Sequence, residues 1–134
     1  FGTRYVYRGL MMNGVPNAAM CVGYTNASWT LRADLSSQYV CTFLNHLQAQ
    51  GYAFGYPHVA GPMAARPALD LNSGYVLRGM TDFPKQGDRA PWFLHQNYLR
   101  DRRDTKRADL TKDMVFVRPG QAHDIEEIAA PAVV

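Results

Sequence analysis

The chain has 134 residues, of which 47% are hydrophobic and 19% are charged. This length suits one domain or a piece of a larger one, and this composition excludes an intrinsically disordered chain. The net charge of +3 gives only weak support to nucleic-acid binding, because that function needs basic residues concentrated on one face.

The first residues predict a short strand or hairpin. Residues 5–12 (YVYRGLMM) are aromatic and apolar apart from a polar break at Arg8 and Gly9. Turn signals follow at residues 13–14 (NG) and 16–17 (PN). The first ten residues are too polar for a signal peptide, and the start at Phe1 suggests a processed or truncated product.

A short apolar run, residues 18–22 (AAMCV), lies between Pro16 and Gly23. Its length and its flanking residues favour a buried strand. Cys21 in this run and Cys41 further on belong to no C-x-x-C pair. Two thiols cannot build a disulfide scaffold, so both are expected to be small buried side chains in a reducing compartment.

The clearest predicted element is an amphipathic helix of about 20 residues that ends before Gly51. Apolar side chains recur every four residues, at Leu31, Leu35, Tyr39, Phe43 and Leu47, with Val40 and Leu44 beside them. The other faces of the helix are expected to carry the polar side chains Arg32, Asp34, Ser36, Gln38 and Gln48. Asn26 and Ser28 are candidate N-caps, and Gly51 is a candidate C-terminal cap.

The second half of the chain predicts shorter elements. Residues 51–67 are rich in Gly, Pro and Ala and predict a surface loop without regular structure. Ser73 is a candidate cap for a short helix.

Pro91 suits the first position of a further helix that ends near Arg107. That helix would carry Trp92, Leu94, Tyr98 and Leu99, with Trp92 and Tyr98 facing the core. Residues Met114–Val117 (MVFV) predict a closing strand, and the tail after it is expected to fray.

The apolar run, the residues GYTNASWT (23–30) and the long helix make up a predicted strand–turn–helix unit. The N-terminus of such a helix presents unpaired amides and partial positive charge, which suit an anionic or electron-rich ligand group. The amides of Ala27, Ser28, Trp29 and Thr30 are therefore candidate donors. Many such units bind nothing, so the residues alone leave both interpretations open.

Residues 15–47 (VPNAAMCVGYTNASWTLRADLSSQYVCTFLNHL) strongly resemble the C-terminal end of the FAD domain in flavin-containing and Baeyer–Villiger monooxygenases. The likeness is greatest to the bacterial branch of ethionamide-activating and alkane- or ketone-oxidising enzymes. Residues 73–92 (SGYVLRGMTDFPKQGDRAPW) and 96–101 (QNYLRD) resemble the C-terminal extension of that branch. The resemblance covers roughly residues 3 to 117.

The resemblance implies an α/β fold class, which becomes α+β in an isolated piece. Residues 1–50 would be the end of a Rossmann-like FAD-binding domain and 51–72 a loop. Residues 73–120 would be a helical C-terminal extension with a short closing strand, and 121–134 a tail.

It also implies FAD and NADPH as cofactors of the full-length protein. That protein would transfer one oxygen atom from O2, through a peroxyflavin, into a ketone, sulfide, thioamide or similar organic substrate. In this family the GYTNASWT turn approaches the flavin, so the matching cofactor-binding positions are Asn26, Ala27, Ser28, Trp29 and Thr30. No catalytic residue is expected in the chain.

The nucleotide fingerprint G-x-G-x-x-G is absent, because no two glycines lie two residues apart. The family fingerprint F-x-G-x-x-x-H-x-x-x-W is absent too. We interpret the chain as an inactive piece whose partners are missing N-terminal FAD and NADPH domains. The resemblance implies a location in the cytoplasm, with peripheral membrane association as an alternative. No stretch approaches the ~20 apolar residues of a membrane span.

The competing hypothesis is a non-catalytic domain that self-associates or docks on a partner through an exposed apolar face. A metal site is not expected, because His46, His58, His95 and His123 are widely spaced. The charged run 100–107 (RDRRDTKR) is interpreted as a solvated helix face with Arg100–Asp104 and Asp104–Arg107 pairs. A phosphate-binding or membrane-surface patch is the alternative for that run.

Overall fold

A computed structural model describes residues 2–68 and 82–121 of the chain. These residues form an α+β structure of small antiparallel strand pairs and helices. In chain order the elements are β1 (Val6–Tyr7), β2 (Met11–Met12), α1 (Trp29–Gln50), β3 (Phe54–Pro57), β4 (Arg66–Pro67), β5 (Lys85–Gln86), α2 (Tyr98–Lys106) and β6 (Met114–Val117). The predictions for Ser73 and for the tail from residue 122 lie outside the described residues.

The predicted N-terminal hairpin is confirmed. β1 pairs antiparallel with β2, so that Tyr7 lies opposite Met11. Arg8 (φ 51°) and Gly9 (φ 70°) both adopt the left-handed conformation in the connecting turn. A Cβ on Gly9 would lie 2.2 Å from Leu94, so this glycine is required by space as well as by its φ.

The long helix is confirmed as α1, which begins after Ser28 and ends at Gly51. Gly51 has φ 67° and donates its amide to the Gln48 and Leu47 carbonyls, as a left-handed C-terminal cap does. The buried stripe consists of Leu35, Tyr39, Phe43 and Leu47, whereas Leu31 is 37% exposed. The assignment of Arg32 and Ser36 to the polar faces was wrong, because both are buried.

The strand predicted at residues 18–22 was wrong. The structure shows no regular element there, and Met20 donates its amide to the Leu10 carbonyl. A strand needs a neighbour along its length, and the described part of the chain offers this run none. The burial expected for the thiols was wrong as well, since Cys21 lies in this unpaired run, Cys41 lies on the outer face of α1, and both are exposed.

The structureless loop predicted for residues 51–67 was also wrong in part. Residues 54–57 form β3, which pairs antiparallel with the correctly predicted closing strand β6, so that Gly55 lies opposite Phe116. A Cβ on Gly55 would lie 2.9 Å from the Phe116 ring, so the glycine makes room for that aromatic side chain. Arg66–Pro67 pairs in the same way with β5.

The helix predicted to start at Pro91 begins only at Tyr98. Gln96 has φ 52°, which interrupts a helix, and Asn97 caps α2 by accepting a hydrogen bond from the Arg100 amide at 3.1 Å. The residues before it are tied to β5, because the Leu94 amide donates to the Gln86 side chain at 3.0 Å.

The core joins distant parts of the sequence around Trp92, which is 1% exposed. The Trp92 ring meets the Tyr7 ring edge-on at a centroid distance of 5.2 Å, and its indole nitrogen donates to Asp113 at 2.8 Å. The buried cluster comprises Tyr5, Tyr7, Leu10, Met11, Tyr39, Phe43, Leu47, Met63 and Trp92. Trp92 therefore faces the core as predicted, although it does not belong to a helix.

Two leucines of α1 allow a matched test of this core. Leu35→Ala should lower the free energy of unfolding by about 2–5 kcal/mol, because Leu35 is 2% exposed and its removal leaves a cavity. Leu44→Ala makes the same substitution at a 52% exposed position, so it should change that free energy by less than about 0.5 kcal/mol. Urea unfolding followed by circular dichroism measures both, and equal losses would contradict the assigned faces of α1.

Candidate functional site

The GYTNASWT turn, residues 23–30, is held in place by the start of α2. The Thr25 amide and hydroxyl both lie within hydrogen-bond distance of the Gln96 side-chain oxygen, at 3.3 and 3.4 Å. Asn26 donates through its side-chain amide to the Gln96 carbonyl at 3.2 Å. Gln96 therefore links the turn to the N-terminus of α2.

A buried ion pair lies next to this link. Arg32 of α1 and Asp101 of α2 are 3.2 Å apart, and their side chains are each 7% exposed. The Tyr24 hydroxyl donates to the same carboxylate oxygen at 2.7 Å. Arg32 also donates to the Arg8 carbonyl, so the pair connects both helices with the first hairpin.

The surroundings of Tyr24 change its acidity. Burial in the protein interior raises the pKa of Tyr24 to about 12, and the hydrogen bond to Asp101 and the charge of that carboxylate add to this effect. Tyr24 therefore stays a neutral donor throughout the physiological range and satisfies one oxygen of Asp101.

The residues at the N-terminus of α1 are exposed. Ser28 has the extended conformation of an N-cap residue, but its hydroxyl lies 2.7 Å from the Thr30 hydroxyl and caps no amide. Residues 25–30 are all exposed, and the first turn of α1 contains no acidic side chain. Within the described ranges, no hydrogen bond to the amides of residues 27–30 is found.

Trp29 is 62% exposed, yet its ring lies against the backbone of the turn. A Cβ on Gly23 would come within 2.3 Å of the indole, so Gly23 leaves the space that this packing needs. The indole therefore covers the beginning of the turn while most of its surface remains available for contact.

Known relatives match the chain over this region. FAD-containing monooxygenase EthA of Mycobacterium tuberculosis is 47% identical over 109 residues, which are 81% of this chain and 22% of the relative. EthA of Mycolicibacterium smegmatis is 50% identical over 98 residues, 72% of this chain and 20% of the relative. By sequence, this segment belongs to the FAD-containing monooxygenases.

The likeness extends to a second named group. The probable FAD-binding monooxygenase AlmA of Acinetobacter baylyi is 42% identical over 105 residues, 77% of this chain and 21% of that protein. The chain thus spans about a fifth of the length of the curated relatives it matches. No family model matches it, and no solved structure matches it significantly.

The predicted flavin-facing positions lie together in the structure. Ala27, Ser28, Trp29 and Thr30 form the exposed N-terminus of α1, and Asn26 precedes them with its side chain bound to Gln96. Among the described residues these amides have no acceptor and the first turn of α1 holds no acidic side chain, which fits the electron-rich pyrimidine edge of a flavin. Their role as cofactor contacts stays a prediction.

Sequence reasoning missed the residues that hold this turn, namely Arg32, Gln96 and Asp101. Arg32 lies three and seven residues before Leu35 and Tyr39, so the spacing of the buried stripe already included its position. Because arginine is charged, the prediction put Arg32 on the polar side of the helix instead. Asp101 belongs to a charged run that is typical of a solvated helix face, and no pattern within one sequence reveals that it faces Arg32.

The charged run pairs differently from the prediction. Among the described residues, Asp104 forms an ion pair with Arg103 at 3.5 Å and lies 3.5 Å from the His95 imidazole, rather than pairing with Arg100 or Arg107. In the same ranges no three metal-binding side chains converge, and no helix is long and apolar enough to cross a bilayer.

The pKa of Tyr24 predicts a pH dependence of stability. The folded protein holds this proton more tightly than the unfolded chain, whose tyrosine pKa is about 10, so the stabilisation is complete below pH ~10 and is lost towards pH ~12. Since one pKa unit corresponds to ~1.4 kcal/mol, the difference in unfolding free energy between the wild type and Tyr24→Phe should shrink by ~1 kcal/mol from pH 9 to 11. Urea unfolding measures this, and a difference independent of pH would refute the assignment.

Proposed function

We propose that this chain is the part of an FAD-dependent monooxygenase that presents the N-terminus of α1 to the flavin. The observation that carries the proposal is the exposed segment 27–30, whose amides have no acceptor among the described residues, on a turn that is hydrogen-bonded to Gln96 and Asp101. Membership of the FAD-containing monooxygenases gives these donors a ligand of suitable chemistry.

The role of the chain is electrostatic. Bound FAD supplies the activation of O2, and the donors of the turn supply hydrogen bonds and positive potential where negative charge accumulates on the ring. Because Asn26 and Thr25 are bound to Gln96, the amides that follow them are oriented before a ligand arrives. Donors fixed in advance need no reorganisation when the charge develops, which makes them more effective.

The electron donor, the substrate, the partner domains and the location of the protein are parts of the same proposal. NADPH is the proposed electron donor, and a ketone, sulfide, thioamide or similar compound is the proposed acceptor of one oxygen atom in a Baeyer–Villiger-type reaction. The FAD and NADPH domains of the family are the proposed partners of this segment, and the cytoplasm is its proposed location. The match to only about a fifth of each relative supports a segment that depends on such partners.

Trp29 offers a direct test of the backbone donors, because proline is accepted at the first position of a helix but lacks an amide hydrogen. The 109 matched residues of the M. tuberculosis relative would be replaced by those of this chain. In this chimera, Trp29→Pro should weaken binding of the reduced flavin relative to the oxidised flavin by roughly tenfold and shift the flavin reduction potential to more negative values.

Trp29→Ala is the matched control, because it removes the indole and keeps the amide. Its flavin potential should stay close to that of the unsubstituted chimera. Equal potentials for the proline and alanine variants, in chimeras that retain FAD, would show that the Trp29 amide does not serve the flavin.

A second candidate function is an interaction module. The outer face of α1 exposes Leu44, at 52%, with the exposed thiol of Cys41 three residues before it, and Leu31 is 37% exposed near the start of the helix. Exposed apolar side chains that lie together contribute to many protein–protein contacts.

If this face mediates self-association, sedimentation should show a concentration-dependent dimer that Leu44→Lys dissociates. Ala49→Lys is the matched control, because it adds the same charge at an exposed position on another side of α1. A chain that remains monomeric at high concentration would remove this alternative.

A further inference from the structure

A cavity of about 320 Å³ lies between the first hairpin turn, the residues before α2 and the segment that follows α2. One part of its wall is apolar and includes Pro91, Phe93 and Leu94. The rest is charged and includes four permanent cations and three carboxylates, namely Arg8, Arg32, Arg107, Lys112, Asp101, Asp104 and Asp109. This volume suits a small ligand with an apolar body and a charged end.

The carboxylates of the cavity already have partners within the protein. Asp101 accepts a hydrogen bond from Tyr24 and pairs with Arg32. Asp104 lies 3.5 Å from both His95 and Arg103. Asp109 accepts hydrogen bonds from the Thr111 hydroxyl at 2.7 Å and the Thr111 amide at 2.8 Å, and these bonds lower the pKa of Asp109. Each carboxylate of the wall thus already has a hydrogen-bond or ion-pair partner within the protein.

Three of the cations have no such partner. In the described part of the chain, Arg8, Arg107 and Lys112 form no ion pair within 4.0 Å. The Nε atom of Arg8 is buried and finds no hydrogen-bond acceptor among the residues that the structure describes. The Arg8 guanidinium lies 5.5 Å from the centres of the Tyr7 and Tyr39 rings, which hold it at the wall of the cavity.

We propose that this cavity binds the carboxylate of a small apolar acid, with Arg8, Arg107 and Lys112 as the groups that recognise the charge. Its four cations exceed its three carboxylates by one, so a single negative charge neutralises the site. A doubly charged phosphate would be repelled by Asp104 and Asp109. The apolar wall at Phe93 and Leu94 receives the body of the acid.

This proposal is independent of the flavin, and its test uses none. The chain would be titrated with benzoate at low salt by isothermal titration calorimetry, with benzamide as the neutral analogue of the same shape. Saturable binding of benzoate, absent for benzamide and weaker for inorganic phosphate, is expected. Addition of benzoate should also shift the NMR signal of the Arg8 Nε–H group.

Variants at exposed positions identify the binding groups without disturbing the core. Lys112→Met and Arg107→Met should each weaken benzoate binding roughly tenfold, since each removes a charge-assisted hydrogen bond. Lys106→Met is the matched control, because Lys106 is exposed, lies outside the wall of this cavity and carries the same charge. Its affinity for benzoate should stay within about twofold of the wild type.

Several results would overturn the proposal. The first three are a lack of saturable benzoate binding, benzamide binding as tight as that of benzoate, and phosphate binding tighter than that of benzoate. The fourth is a loss of benzoate affinity in Lys106→Met equal to that in Lys112→Met, which would indicate attraction by the overall charge. Circular dichroism and the urea midpoint confirm that each variant is folded before its affinity is compared.

Discussion

The contact between Arg32 and Asp101 is the constraint on which the rest of this structure depends. Two charges that are each 7% exposed have lost most of their hydration, and their attraction offsets that cost only with further hydrogen bonds. Tyr24 and the Arg8 carbonyl supply those bonds. The removal of one partner would leave a buried charge without compensation, which costs about 3–5 kcal/mol in comparable sites.

The parts of the fold that the sequence predicted are those with a strong local pattern. α1 has a buried stripe at intervals of four and a glycine at its end, so its bounds follow from periodicity and backbone conformation. The hairpin around Arg8 and Gly9 and the strand Met114–Val117 are bounded by turn residues. The turn of residues 23–30 is likewise predictable from the sequence, because its donors and the helix after it are adjacent in the chain.

The parts that the sequence did not predict depend on distant partners. β3 is a strand because β6 lies beside it some 60 residues later, and no window around Phe54 contains that information. The run at residues 18–22 has strand-like composition but no strand beside it in the described chain. The late start of α2 reflects the conformation of Gln96, whose side chain and carbonyl hold the turn. The Arg32–Asp101 ion pair between α1 and α2 was not predicted either, because its two residues are far apart in the sequence.

The same ion pair determines the charge of the cavity beside α2. Because Asp101 neutralises Arg32, the excess of positive charge falls on Arg8, Arg107 and Lys112 rather than on the cation nearest the GYTNASWT turn. Asp101 thus contacts both the GYTNASWT turn, through Tyr24, and a cation of the cavity wall, Arg32. A substitution at Asp101 would free the charge of Arg32 and alter both places at once, whereas one at Lys112 leaves the bonds of the turn intact. Effects that arise at the turn can thus be separated from those that arise in the cavity by the choice of residue.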